Sequence, residues 1–217
     1  MSLAPYKIKM PQIHKMNSPT TSARKCLFVV LFFTFDDTKT INWTISITMI
    51  TKATFEDVPS LNKLINSAYR GESSKKGWTT EANLLEGSRT TEKELTEIIQ
   101  DKKNTILKFT ENNKIIGCVL LIEKEDNLYL GMLTVSPELQ NSGIGKKLMQ
   151  QAEIHASSLR LSKIVMTVIS VREELISWYR RNGYVDTGAR EPFPAGDVHI
   201  PISDEALEFM VLEKRIP

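Results

Sequence analysis

The chain has 217 residues, of which 41% are hydrophobic and 25% charged, and a chain of this length can bury a core without disulfides or metals. Its net charge of +2 gives no basis for a nucleic-acid partner, and its cysteines, Cys26 and Cys118, have no metal-ligand spacing. We expect a cytoplasmic protein without a metal, a nucleic-acid partner or a membrane partner, and either a monomer or a homodimer.

The first 43 residues differ from the rest, because they are basic and hold no apolar periodicity up to residue 25. The uncharged run CLFVVLFFTF follows at residues 26–35, which is too short for a bilayer-spanning helix of about 20 residues. We predict that residues 1–43 form an accessory or weakly ordered extension, with Met49 as an alternative start. An extra strand docked on the domain and a targeting segment remain open.

From about residue 44 the pattern becomes regular and predicts strands and helices in succession. A strand is followed by a helix, a long loop over residues 71–90 and a second, short helix. Three strands joined by hairpin signals come next, and we expect Cys118 to be buried in the second of them. The predicted segments are WTISITMITKA, EDVPSLNKLINSAY, TEKELTEIIQ, NTILKFT, KIIGCVLLIE and NLYLGMLTV.

The remaining elements follow a glycine turn. We predict a helix, the buried strand KIVMTVI, the helix REELISWYRRNG ending at Gly183, and two last strands, YVDTGAR and ALEFMVLEK. We expect the last strand to close the sheet, and His199 before it to be structural or exposed. This order predicts a mixed α/β fold, in which a mixed sheet carries helices on both faces.

The turn QNSGIGKK at residues 140–147 is the most specific segment of the chain. The first N–H groups of a helix have no partner and carry partial positive charge, and glycines let a phosphate approach them. A Walker A loop would need glycine at Gln140 and a hydroxyl residue at Lys147, and a dinucleotide turn would need glycine at Leu148. The turn therefore predicts a different phosphate or pyrophosphate site.

Two motifs resemble one family. The pattern Gln-x-x-Gly-x-Gly after a strand ending in VSPE resembles the acyl-CoA-binding turn of the GNAT superfamily of N-acetyltransferases. The segment LISWYRRNGY resembles its helix-to-strand segment, with Tyr179 four residues before Gly183. The resemblance covers about residues 46–213 and implies a GNAT domain over residues 44–217. It implies a mostly antiparallel twisted sheet of about 6–7 strands, with a V-shaped splay between the fourth and fifth strands.

The same resemblance implies that acetyl-CoA is the co-substrate and that an acceptor amine attacks its thioester directly. A backbone N–H of the fourth strand then stabilises the oxyanion. Tyr179 is the implied proton donor to the leaving thiolate, since the ordinary pKa of tyrosine is about 10 and the hydroxyl is protonated at neutral pH. The alternative is that Tyr179 is a buried packing aromatic. The implied cofactor-binding residues are Leu133, Thr134, Val135, Gln140, Asn141, Ser142, Gly143, Ile144, Gly145, Lys146 and Arg172.

The sequence departs from the family at the fourth strand, NLYLGMLTV, which carries no internal carboxylate where many members place one. The predicted general base is therefore remote, either Glu81 or Glu123. We predict that Trp78, Glu81 and Glu123 contact the acceptor, with a solvated or core-covering role as the alternative. Arg172 stands where members often carry Asn, and it either reaches a CoA phosphate or faces water.

These observations are compatible with three functions. We expect an acetyl-CoA-dependent N-acetyltransferase that acts on a primary amine of a small molecule in a ternary complex. A non-catalytic acyl-CoA-binding or regulatory domain on the same fold is the alternative, which the missing strand carboxylate favours and Tyr179 disfavours. A nucleotide-binding structural protein is the third hypothesis, and it requires the glycine turn to bind a phosphate other than that of coenzyme A.

Overall fold

The computed structural model describes residues 26–35, 41–194, 200–203 and 206–217, and His199 lies outside them. In chain order the elements are β1 (Cys26–Phe35), β2 (Ile41–Lys52), α1 (Val58–Tyr69), α2 (Gly71–Ser74), β3 (Leu85–Glu86), α3 (Glu92–Gln100), β4 (Asn104–Glu111), β5 (Lys114–Glu123), β6 (Leu128–Val135), α4 (Ile144–Ser158), β7 (Lys163–Ile169), α5 (Glu173–Arg181), β8 (Val185–Pro192), β9 (Ile200–Pro201) and β10 (Glu208–Arg215), with 3₁₀ turns at Phe55–Asp57 and Pro137–Leu139. Among the described residues, no helix is long and apolar enough to cross a bilayer.

Eight strands form the main sheet in the order β1-β2-β4-β5-β6-β7-β10-β8, and only the β6–β7 pair is parallel. The predicted mixed, mostly antiparallel sheet is confirmed, with β1 added at one edge. The prediction that the last strand closes the sheet is wrong, because β10 lies between β7 and β8. The largely exposed residues of β8 suit an edge, whereas β10 carries the buried Val211 and Leu212. A second sheet, β3 with β9, was not predicted.

Strand β5 divides two hydrophobic cores, because successive side chains of a strand point to opposite faces. Val119 and Leu121 belong to the core that includes residues of α4 and α5. Cys118 and Leu120 belong to the core that includes residues of α1 and α3. Burial on both faces explains the continuous apolar run of this strand and confirms that Cys118 is buried.

The run CLFVVLFFTF forms β1, which pairs antiparallel with β2 from Cys26↔Ile50 to Phe35↔Ile41. This pairing agrees with the docked-strand alternative for these residues. Strand β2 begins at Ile41, so the ladder crosses the predicted boundary between residues 43 and 44. Residues 1–25 lie outside the described residues, and the division of the chain there stays a prediction.

The β6–β7 pair opens soon after it forms. The two strands pair only at Leu128↔Ile164 and Tyr129↔Val165, and then they diverge. The predicted V-shaped opening between the fourth and fifth strands is therefore present. Helices α4 and α5 contribute to the core on one side of this opening, and α1 lies on the other.

A bulge in β6 lies within the opening. The register of β5 and β6 shifts between Cys118↔Thr134 and Leu120↔Gly131, so two residues of β6, Met132 and Leu133, face one residue of β5. Met132 has a φ of 47°, a left-handed backbone conformation. A bulge leaves a backbone group outside the ladder and redirects the strand, and bulges are common beside active sites.

The packing of α4 on the sheet predicts a contrast between two of its aliphatic residues. Leu148 is 0% exposed and Ile154 is 57% exposed. We expect Leu148→Ala to lower the free energy of unfolding by about 2–5 kcal/mol through lost burial and a residual cavity. Ile154→Ala, the matched control, should change it by less than about 0.5 kcal/mol. Urea unfolding of both variants measures the difference, and equal losses would contradict the packing described.

Candidate active site

A cleft of about 400 Å³ opens beside the last residues of β6. The turn after β6 and the start of α4 form one wall, and α5 with the segment at residues 78–79 forms the other. Most residues predicted to bind the cofactor line this cleft, namely Leu133, Val135, Gln140, Asn141, Gly143, Ile144, Gly145, Lys146 and Arg172. Two others do not, because the Thr134 hydroxyl donates to Met132 O (2.9 Å) and the Ser142 hydroxyl donates to Leu139 O.

The start of α4 presents bare backbone donors to the cleft. Gly143, at the N-cap, has a φ of 83°, and the first helical hydrogen bond runs from Lys147 N to Gly143 O (3.1 Å). Among the described residues, no group accepts from the N–H of Ile144, Gly145 or Lys146. Such a helix start can bind an anion, because its N–H groups and its dipole both favour negative charge.

The Gln140 side chain ties the turn to the segment before Glu81. Its Oε1 accepts from Trp78 N (2.8 Å) and Thr79 N (3.3 Å), and its Nε2 donates to Thr79 Oγ1 (2.7 Å). A Cβ atom on Gly77 would lie 2.6 Å from Gln140 Oε1, so a side chain there would displace the Gln140 amide. The resemblance implied only a cofactor-binding role for Gln140, and this structural role of its side chain was not predicted.

Aromatic side chains line the α5 side of the cleft. Trp78 meets Trp178 edge-on with ring centroids 6.0 Å apart, and Trp178 meets Tyr179 in the same way at 5.1 Å. A Cβ atom on Gly145 would lie 3.4 Å from the Trp178 ring, so α5 packs closely on the start of α4. Trp78 therefore lines the cleft together with the turn residues.

A second cavity of about 280 Å³ adjoins the cleft. Both spaces share Tyr69, Leu133, Arg172, Leu175 and Tyr179 as lining residues. The second cavity is largely apolar on its strand walls, which include Leu120, Leu130, Met132, Met166, Val168 and Phe209. Its polar lining residues include Glu81, Arg89, Tyr129 and Thr167. We call this space the acceptor cavity, after the acceptor that the family resemblance implies.

Tyr179 lies between the cleft and the acceptor cavity. Its side chain is 6% exposed and packs edge-on against Tyr184, with centroids 5.8 Å apart. Within the described part of the chain, its hydroxyl has no hydrogen-bond partner. Burial, with Tyr69 nearby, raises the pKa of Tyr179 well above its ordinary value, so the hydroxyl keeps its proton at neutral and moderately alkaline pH.

Glu81 is buried between two arginines. Its Oε1 accepts from Arg172 Nη1 (2.9 Å) and its Oε2 accepts from Arg70 Nη1. Both carboxylate oxygens already accept from arginine donors, so the geometry suits a bridging anion better than the general base we predicted. Arg172 also donates to Thr79 O (2.6 Å) and is 10% exposed, so it does not face water.

The structure does not bring Glu123 to the site. It is exposed and lies at the end of β5, paired with Leu128. Leu128 is also the residue at which β6 still pairs with β7, so this is the closed end of the V. Glu123 lines neither the cleft nor the acceptor cavity.

Sequence reasoning missed three residues of the site. Tyr69, at the end of α1, donates its hydroxyl to Leu133 O (2.8 Å) and lines both spaces. Arg89 lines the acceptor cavity, and no spacing in the long loop distinguishes it from other surface cations. Trp178 could have been found, because it precedes Tyr179 in the motif that resembles the family.

Comparison with known proteins agrees with this architecture. A family model described as "Acetyltransferase (GNAT) domain" matches residues 75–202, and the chain belongs to this family. No curated protein matches the chain.

Solved structures of the same fold include the ribosomal-protein-S18-alanine N-acetyltransferase from Escherichia coli, at 15% identity and a TM-score of 0.59, covering 78% of this chain and 94% of that one. A paia N-acetyltransferase from Thermoplasma acidophilum in complex with coenzyme A has 17% identity and a TM-score of 0.56, over 77% and 98% of the two chains. A spermidine N-acetyltransferase SpeG chimera from Vibrio cholerae and hSSAT has 17% identity and a TM-score of 0.57, over 77% and 95%. At these identities the similarity shows the fold alone.

The contacts of Gln140 predict that its side chain holds the segment at residues 77–80. We expect Gln140→Ala to leave the amides of Trp78 and Thr79 without their acceptor, and therefore to speed hydrogen exchange there by about tenfold or more. Exchange measured by mass spectrometry checks this. Ser142→Ala is the control, because that hydroxyl bonds only within the turn. Unchanged protection in Gln140→Ala would show that other contacts hold the segment.

Proposed function

We propose that this protein is an acetyl-CoA-dependent N-acetyltransferase that acts on a primary amine of a small molecule, in a ternary complex and in the cytoplasm. The observation that carries the proposal is the position of Tyr179 between a cleft with bare helix N–H groups and a separate cavity. Membership of the acetyltransferase family supports acetyl transfer. A cavity of about 280 Å³ favours a small acceptor.

The cleft fits an anionic coenzyme. The N–H groups of Ile144, Gly145 and Lys146 would hold the pyrophosphate, with Lys146 adding a cation at an exposed position. The backbone of β6 around Leu133 and Val135 would hold the pantetheine arm. Acetyl-CoA would supply the activated acetyl thioester when bound. A relative of the same fold was solved with coenzyme A, which supports this assignment.

The β6 bulge supplies a candidate oxyanion donor. Met132 and Leu133 are outside the regular ladder, so a backbone N–H there is available to a reacting carbonyl oxygen. A donor aimed at developing negative charge in a buried site can contribute about 3 kcal/mol to catalysis. The hydrogen bond from the Tyr69 hydroxyl to Leu133 O fixes the bulge and preorganises that donor.

Tyr179 is the proposed proton donor to the leaving sulfur. Its raised pKa keeps the hydroxyl protonated, and the absence of a partner in the described chain leaves it free to donate. For Glu81 we propose a positioning role, because both of its oxygens already bind arginine. The acceptor amine would then arrive in its neutral form, and after its attack the nitrogen would pass its extra proton to Tyr179, replacing the one given to sulfur.

A non-catalytic acyl-CoA-binding domain remains the second candidate. The observation that favours it is that Glu81, the carboxylate that lines the acceptor cavity, forms salt bridges with Arg70 and Arg172. Release of free thiol from acetyl-CoA with a panel of primary amines separates the two functions. Turnover with any amine supports the enzyme, and tight coenzyme binding without turnover supports the binding domain.

The bare donors of α4 predict a contrast between two glycines. Gly143 and Gly188 have φ values of 83° and 82°, and a Cβ atom on either would meet nothing within 4 Å. Valine at either position should therefore cause similar backbone strain, of order 1–3 kcal/mol. Only Gly143 lines the cleft, so we expect Gly143→Val to weaken coenzyme A binding at least about tenfold, with Gly188→Val unchanged. Calorimetry of both folded variants measures this, and equal affinities would place the coenzyme elsewhere.

The position of Tyr179 predicts a selective loss of turnover. We expect Tyr179→Phe to lower kcat by about 10²-fold while leaving the affinity for coenzyme A nearly unchanged, because the ring remains and the proton is lost. Tyr184→Phe is the matched control, since its hydroxyl is buried without a partner and it lines neither space.

The raised pKa of Tyr179 also predicts the pH profile. The wild-type rate should not decline between pH 8 and about 10, because the donor stays protonated above the ordinary tyrosine pKa. Thiol-release assays across this range check the profile. A normal kcat in Tyr179→Phe would remove the residue from its proposed role.

A further inference from the structure

The acceptor cavity contains a cation that nothing in the described chain neutralises. Arg89 lines this cavity, and it forms no ion pair with any residue that the structure describes. Its guanidinium carbon lies 5.4 Å from the centroid of the Tyr69 ring, a cation–π distance. An arginine that is half-buried against an aromatic ring and unpaired is suited to bind an anion from outside the chain.

The backbone of Arg89 is held in place by α1. Asn66 Oδ1 accepts from Arg89 N (2.7 Å), and Asn66 Nδ2 donates to Thr90 O (2.9 Å). Asn66 is partly buried on the helix that also carries Tyr69. These two hydrogen bonds fix the backbone at Arg89, and the ring contact places its guanidinium beside Tyr69 at the cavity.

The neighbouring ion cluster adds to the positive charge. Arg70 and Arg172 share one carboxylate, Glu81, so the three side chains carry a net positive charge. Arg70 is 8% exposed, and its Nε and Nη2 atoms are buried without a hydrogen-bond partner. With Arg89, three arginines stand against one carboxylate around this end of the cavity.

We propose that the acceptor is a small primary amine that also carries an anionic oxygen group, a carboxylate or a phosphate, and that Arg89 binds this group in the acceptor cavity. The inference rests on the proposed N-acetyltransferase function and specifies its substrate class. The planar guanidinium can bind two oxygens of either group at once. The apolar strand walls would contact the carbon body of the acceptor.

The same charge bears on the proton of the acceptor amine. Positive charge nearby disfavours an ammonium group and lowers its pKa, so the bound amine is more readily neutral. An anionic group on the acceptor compensates for the repulsion that would otherwise keep an amine out. A purely cationic polyamine gains no such compensation and should be a poor acceptor.

Matched amine pairs test the substrate class. Thiol release is measured for phenethylamine with phenylalanine, propylamine with γ-aminobutyrate, and ethanolamine with phosphoethanolamine, so that the arms separate carboxylate from phosphate. We expect the anionic member of at least one pair to have a kcat/KM about tenfold to hundredfold higher. Arg89→Gln should bring the kcat/KM values of the two members of that pair within about threefold, and Arg89→Lys should retain part of the preference. Arg160→Gln, an exposed control, should leave the preference unchanged.

Binding calorimetry of the same pairs to the protein with coenzyme A separates the two proposals. If no amine supports thiol release, the acetyltransferase proposal fails, and an anionic member that binds wild type but not Arg89→Gln still supports the anion site. Equal use and equal binding of both members by the wild type would overturn it, as would an Arg89→Gln variant that loses both members equally. If Arg89→Gln does not fold, as judged by its melting temperature, the wild-type pairs and Arg89→Lys decide.

Discussion

The short parallel pairing of β6 and β7 is the constraint on which the rest of the site depends. Two residue pairs hold the strands together, and beyond them β6 and β7 no longer pair with each other and the sheet opens. The opening creates the cleft beside α4 and the acceptor cavity, with Leu133 and Tyr179 shared between them. A continuous β6–β7 ladder would pair the backbone groups that a coenzyme arm needs and would leave no space for either substrate.

The buried ion cluster determines how the proposed chemistry handles protons. Glu81 pairs with both Arg70 and Arg172, so one carboxylate faces two buried guanidinium groups and the cluster carries a net positive charge. The cluster therefore acts as a fixed positive field, and it lies on the acceptor side of Tyr179. In such a field an amine is easier to deliver without its extra proton, and a neutral phenol remains an effective donor to a leaving sulfur. The missing carboxylate of β6 is then compatible with catalysis.

Local signals in the sequence predicted much of the fold. Apolar periodicity predicted α1, α4 and the strands β4 to β7, and most residues of the predicted glycine turn line the cleft. Sequence order did not reveal that β10 lies between β7 and β8, because strand order depends on long-range pairing. Arg89 and the Arg70–Glu81–Arg172 cluster were also beyond prediction, since these side chains meet only after α1, the long loop and α5 pack together. Glu81 looked like a free carboxylate for the same reason.

The segment at residues 77–81 connects the two spaces physically. Gln140, in the turn before α4, accepts from the amides of Trp78 and Thr79, while Arg172 binds both Thr79 O and the Glu81 carboxylate. The Glu81 amide donates to Tyr69 O (3.0 Å), and the Tyr69 hydroxyl donates to Leu133 O of β6. A ligand that shifts the turn would therefore also shift the wall of the acceptor cavity, because one chain of hydrogen bonds holds both. Such coupling would suit the proposed ternary complex, in which both substrates are bound before the acetyl group moves.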